Sequence, residues 1–188
     1  MKTLITIVLL SLLSFSTKSQ NLKSLDDKNG FRDVKFEAPT SSIKGLVKIK
    51  IHPSFADEYP NYDGYTKTGE DLRIGKCILK EVQYWFYKNQ LCDINITLPN
   101  DYSNAMDILK IFEVAYGPAE KEEKAYGKWI EYHWRGEKVQ INFEILYKST
   151  GEIGESTITI NSEKIQSMQL ADKQEKENRD ALEAAKKL

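Results

Sequence analysis

ILKEVQYWFYKNQLCDINITL, residues Ile78 to Leu98, decides how this chain folds. Two runs rich in Val, Ile, Tyr, Trp and Phe flank Tyr87-Lys88-Asn89-Gln90, the pattern of a β-hairpin. Its register follows from asking which loop length gathers the apolar residues on one face. With Tyr87, Lys88 and Asn89 as a three-residue loop, Phe86 faces Gln90, Tyr84 faces Cys92 and Val82 faces Ile94. Ile78, Val82, Tyr84, Phe86, Cys92, Ile94, Ile96 and Leu98 then share one side, a set that a two-residue loop splits. Asn89 occupies the third loop position, where a left-handed conformation is needed and Asn tolerates it. The reverse face carries Glu81, Gln83, Asp93, Asn95 and Thr97. Trp85, set opposite Leu91, is its apolar exception.

Downstream, Pro99-Asn100-Asp101 ends the strand, and Asp101 or Ser103 supplies a helix cap. Ala105, Ile108, Leu109, Phe112, Ala115 and Tyr116 recur at three- and four-residue spacing, which makes one buried helical stripe. Gly117-Pro118 stops that helix. Ala119 to Gly127 is so charged that it reads as a solvated loop. Gly136-Glu137 then marks a second hairpin with a two-residue type II′ turn, in which Trp134 faces Val139, Tyr132 faces Ile141 and Ile130 faces Phe143. Glu131, His133, Gln140, Asn142 and Glu144, with Trp129, line its other side. Ser156 to Asn161 alternates Ile with Thr as a last strand. From Ser162 a helix is expected, with Ile165, Met168 and Leu170 docking its first turns and Asp172 to Asp180 lacking any apolar residue.

Upstream, Phe31 to Glu37 reads as a first strand, Thr40 or Ser41 caps a short helical turn, and Val47 to Ile51 alternates with lysines as a half-exposed strand. His52 to Asp71 is a long connection. Its Phe55, Tyr59, Tyr62 and Tyr65, interleaved with acids, either form a binding loop or pin the loop to the domain. Asn21 to Gly30 is polar and reads as a mobile lead-in. Met1-Lys2, an apolar run from Leu4 to Phe15, and a short polar stretch to Ser19 have the build of a cleavable secretory signal. Cleavage is expected before Gln20 or after Ser16, and no cysteine precedes Cys77 to carry a lipid. The expected destination of the mature chain is a periplasm or the cell exterior, without membrane attachment.

Without Lys2 and Lys18 the chain has 25 basic and 28 acidic residues. Nothing in that balance favours a nucleic acid partner. Cys77 and Cys92 permit one disulfide in an oxidising compartment. The hairpin register sets them apart, so two buried free thiols are the preferred reading.

Catalytic chemistry finds little to stand on. Only His52 and His133 are available to a nucleophilic triad. His133, between Glu131 and Arg135 on a polar strand face, reads as a surface histidine. No Cys/His cluster has zinc spacing, no calcium loop is present, and GxxxxGK[ST] and GxGxxG are both missing, so neither a metal nor a cofactor is expected. The off-face aromatics are what remain. Trp85, Leu91 and Trp129, with Tyr59, Tyr62 and Tyr65 of the long loop, are the candidate ligand-binding residues, because an exposed aromatic patch marks a ligand or partner site. The competing possibility is that another segment covers the tryptophans.

The chain resembles a set of small exported bacterial proteins of unknown function. The likeness rests on Gly30-Phe31-Arg32 opening a strand, the YxFYxNxL text of Tyr84 to Leu91, and the helix end Tyr116-Gly117-Pro118. It implies the same fold over most of the mature chain and no particular activity. The sequence thus points to a signal peptide over residues 1–19, one α+β domain over 20–171 and a charged helical extension over 172–188. The domain is expected to hold a mostly antiparallel sheet of about six strands with one helix on a face. The expected function is non-enzymatic binding of a protein or glycan partner. The alternative is a hydrolase of glycans or peptides working through paired carboxylates, which requires two acids converging in a pocket.

Overall fold

Lys88 and Asn89 both take positive φ, 48° and 61°, in the computed structural model, which describes residues 20–53, 59, 61–124, 129–148 and 152–186. The turn is therefore a two-residue loop of the type I′ class closed by Tyr87 and Gln90, one residue shorter than the sequence suggests. A β-bulge reconciles that loop with the apolar pattern. Phe86 pairs with Leu91 and Trp85 with Asp93, leaving Cys92 as the extra residue. Leu91 consequently joins Ile94, Ile96 and Leu98 on the core face, while Cys92 packs on the reverse face. The pairing of Trp85 with Leu91 is thus replaced by Trp85 with Asp93.

In chain order the elements are α1 (Leu22–Lys28), β1 (Gly30–Phe31), β2 (Val34–Lys35), a 3₁₀ turn (Thr40–Ser42), β3 (Leu46–Lys48), β4 (Tyr62–Lys67), β5 (Arg73–Ile74), β6 (Cys77–Ile78), β7 (Glu81–Tyr87) and β8 (Gln90–Leu98). There follow α2 (Tyr102–Tyr116), β9 (Glu120–Lys124), β10 (Trp129–Arg135), β11 (Val139–Tyr147), β12 (Ile153–Ser162) and α3 (Glu163–Ala185). Among the described residues the main sheet has eight antiparallel strands in the order β3-β4-β7-β8-β12-β11-β10-β9. Two four-stranded meanders, each followed by a helix, meet at the β8–β12 ladder. This is an α+β domain, with eight strands where about six were expected. Two of them lie where the sequence reads as loop: β4 inside the long tyrosine-rich connection, and β9, whose EKEEK is charged throughout because it is an edge strand exposed along its length.

Other differences are local. The polar lead-in is helix α1: Asn21 caps it by accepting from the Ser24 N–H at 3.3 Å, Asn29 ends it in the left-handed region, and Leu25 is buried. The first strand is instead a two-residue hairpin, β1 with β2. In the second hairpin Trp134 faces Ile141 and Arg135 faces Gln140, two residues from the expected register, so the same side chains still share a face. Glu137 and Lys138 form its turn. The Asp26 carboxylate of α1 accepts from the N–H groups of Glu137, Lys138 and Val139 at 2.9, 2.8 and 3.1 Å. Gly136 is needed there because a Cβ would collide with Asp26 Oδ1. The signal segment lies outside the described residues.

Helix α2 covers the core face as its stripe requires. Asp101 caps it by accepting from the Asn104 N–H at 3.2 Å, and Gly117, at φ 84°, lets the chain leave it. Ala105, Ile108, Leu109 and Phe112 pack with Val82, Tyr84, Ile96, Phe143 and Ile158 in one cluster. Among the described residues, the helix that packs on the reverse face is α3, by its start. Ser162 caps that helix, accepting from the Ile165 N–H at 3.4 Å. Ile165 and Met168 pack with Tyr62, Trp85, Tyr87 and Cys92. Tyr87 donates its hydroxyl hydrogen to Asp172 at 2.5 Å, and Lys88 pairs with the same carboxylate at 2.7 Å. Beyond Asp172 every described residue of α3 is exposed, and Leu170, expected to dock, points outward. Cys77 and Cys92 are buried free thiols.

Candidate functional site on the open sheet face

Because α3 reaches only the β7–β8 corner, no described segment lies over the rest of the reverse face, and most of its residues stay half-buried where those of the core face are near zero exposure. Strand pairing fixes what that face presents. One row across the sheet reads Gln83, Asn95, Thr159, Asn142, His133 and Glu120. The adjacent row reads Thr97, Thr157, Glu144, Glu131 and Glu122. Trp129 then stands between Leu146 and Lys124. The side-chain oxygens of Asn95 and Asn142 accept no hydrogen bond from the protein, so the face keeps unused acceptor capacity.

At the β9–β10–β11 end these rows concentrate charge. Glu131 and His133 are buried, 7% and 9% exposed, which overturns the reading of His133 as a surface residue. The neighbouring side chains of β9 and β11 wall in a ring that would be open on an isolated strand. His133 Nε2 lies 3.2 Å from Glu131 Oε2 and 3.7 Å from Glu122 Oε2, yet makes no hydrogen bond. Lys124 Nζ donates to both Glu131 oxygens, at 2.9 and 2.8 Å, and this bond raises the lysine's pKa. Burial lowers the His133 pKa, and the Arg135 cation adds to the effect, so the imidazole is neutral near pH 7. Burial also raises the Glu144 pKa, with the Glu131 charge acting in the same sense; Asn142 opposes it by donating to Glu144 at 2.6 Å.

The sequence-derived candidates are scattered across both faces. Trp129 is 37% exposed and its cross-strand partner Leu146 39% exposed, making an apolar pair on the open face beside the charged cluster. Trp85 is half-buried beneath α3. Four strand spacings, roughly 19 Å across the sheet, and a further six residues along the strand direction separate it from Trp129, so the two tryptophans form no common site. Leu91 is fully buried in the core on the other face, because the bulge puts it there. Tyr65 also faces the core, edge-on to Phe86 at 5.2 Å. Tyr59 stacks edge-on to Tyr62 at 5.6 Å, and Tyr62 packs on Tyr87 at 5.3 Å, so this pair belongs to the α3 corner. Phe55 lies outside the described residues.

Glu122, Glu131 and Glu144 were not singled out from sequence, and His133 was weighed there only as a triad member and read as a surface residue. They sit on three strands, and one of these, β9, reads as loop, so only the register brings them together. Two cavities, of about 360 and 250 Å³, lie away from this cluster: one by Asp33, Ile43 and Lys67, the other by Phe31, Ile74 and Phe112. Among the described residues no helix is long and apolar enough to cross a membrane. No family model, no curated protein and no solved structure matches the chain.

Proposed function

We propose that the protein is an exported, non-enzymatic binding protein that takes a protein segment or a glycan onto the open face of its sheet. The observation that carries this reading is the exposed Trp129–Leu146 pair set next to a half-buried field of amide, hydroxyl and carboxylate groups. An aromatic face flanked by hydrogen-bonding side chains is how flat polar ligands are held: the ring supplies apolar area and the neighbours supply orientation. The hydrolase alternative draws on Glu122, Glu131 and Glu144. These carboxylates stand side by side in one row, with Lys124 holding Glu131, rather than facing each other across a cleft with a scissile bond between them.

The test is retention of the mature chain on arrayed glycans and arrayed peptides. A probe retained by the native protein and weakened at least about tenfold by Trp129→Ala supports the proposal. Retention unchanged by both Trp129→Ala and Asn142→Ala contradicts it.

A further inference from the structure

We infer that Glu122 Oε2, Glu131 Oε2 and His133 Nε2 form a three-ligand site for a divalent ion of the zinc class. The three groups come from β9 and β10 and reach one point because Glu122 pairs with Glu131 across the ladder, while His133 lies two residues along the same face. Their donor atoms all fall within 4.8 Å of one another, with nitrogen-to-oxygen separations of 3.2 and 3.7 Å. A zinc ion about 2.0–2.2 Å from each ligand in tetrahedral geometry sets neighbouring ligand atoms roughly 3.3–3.5 Å apart. The two nitrogen-to-oxygen separations bracket that spacing, and the two carboxylate oxygens lie within 4.8 Å of each other.

The histidine supplies a second, independent reason. It is nine-tenths buried, its Nε2 has no hydrogen-bond partner, and the atoms nearest that nitrogen include the two carboxylate oxygens. A buried ring nitrogen without a partner carries the full desolvation cost. An ion bound between nitrogen and oxygens removes it. Lys124 balances the charge of Glu131 and comes within 3.7 Å of Glu122, but it makes no hydrogen bond to the imidazole. It is the ion's competitor, and its side chain is half-exposed. The donor set of one imidazole and two carboxylates selects zinc, copper, nickel or iron over magnesium and calcium, which prefer all-oxygen shells. Three protein ligands leave a fourth position for water or a bound ligand.

The test is calorimetric titration of the mature full-length chain, stripped with chelator, with Zn²⁺, and separately with Mg²⁺ and Ca²⁺. The expected result is uptake of about one Zn²⁺, with little of the hard cations. His133→Ala and Glu122→Gln each weaken it at least about tenfold, and His52→Ala leaves it unchanged. Lys124→Gln tightens it by removing the competing charge. Glu122→Gln lies on an exposed edge strand and keeps the test intact if His133→Ala does not fold. Co²⁺ in place of Zn²⁺ should give visible d–d absorption that His133→Ala abolishes. No Zn²⁺ uptake by the native chain, or uptake that both Glu122→Gln and His133→Ala leave unaltered, overturns the inference.

Discussion

Asp26 ties two distant parts of the chain together with one carboxylate. It sits on α1 and receives three successive N–H groups from the Glu137–Val139 turn, more than a hundred residues away, in a space that Gly136 keeps open. Hydrogen bonds to an ionised acceptor contribute more than neutral ones. Asp26→Ala should therefore lower stability by about 2 kcal/mol in urea unfolding, whereas Asp26→Asn, which keeps an acceptor, should cost less. Asp93 pushes the other way. Burial raises its pKa, so the native state binds more protons than the unfolded chain in the window above the ordinary Asp value, and stability falls as pH rises through that window. Asp93→Asn is expected to raise the urea midpoint near pH 7 and to leave it unchanged near pH 3, where Asp93 is protonated in both states; a loss of stability near pH 7 would refute this.

The elements show how far local pattern reaches. Helix α2 could be placed from its stripe, its Asp101 cap and its Gly117 end, because all three signals are local. Asn89 was recognisable as a left-handed residue, but the loop length was not: a two-residue loop followed by a bulge and a three-residue loop gather nearly the same apolar residues of β7 and β8, and within that ladder only Leu91 and Cys92 change faces. Ile78, expected on the same face, falls in β6 outside the ladder and is 53% exposed, with Cys77 and Leu79 buried in its stead. Strand β9 escaped because an exposed edge strand needs no apolar alternation. Helix α3 divides into a docked start and an exposed remainder. Ile165→Ala should cost about 3 kcal/mol, since its side chain is fully buried against Cys92 and Tyr87. Truncation after Lys173 should shift Tm by no more than about 2 °C, because every described residue it removes is exposed. A large loss on truncation would show that the far half of the helix packs against something.

At the scale of the molecule, the described residues form an eight-stranded sheet with one face closed by α2 and the other covered by them only at its β7–β8 corner. The predominance of antiparallel strands was legible from turn residues and alternation, and so was the strand face that carries Trp129, whereas its exposure was not. The charged cluster was not, since Glu122, Glu131 and His133 meet through strand order and register, which no sequence spacing records. The open face is what the proposed binding role requires, and the chain's three tryptophans lie at three different depths in the fold. Trp134 is fully buried in the core, Trp85 is half-buried under α3, and Trp129 is on the open face. The most direct test is ¹⁹F NMR of the 5-fluorotryptophan-labelled chain in H₂O and in D₂O. The account predicts a clear solvent isotope shift for Trp129, a smaller one for Trp85 and none for Trp134; a Trp129 resonance as insensitive to solvent as that of Trp134 would contradict it.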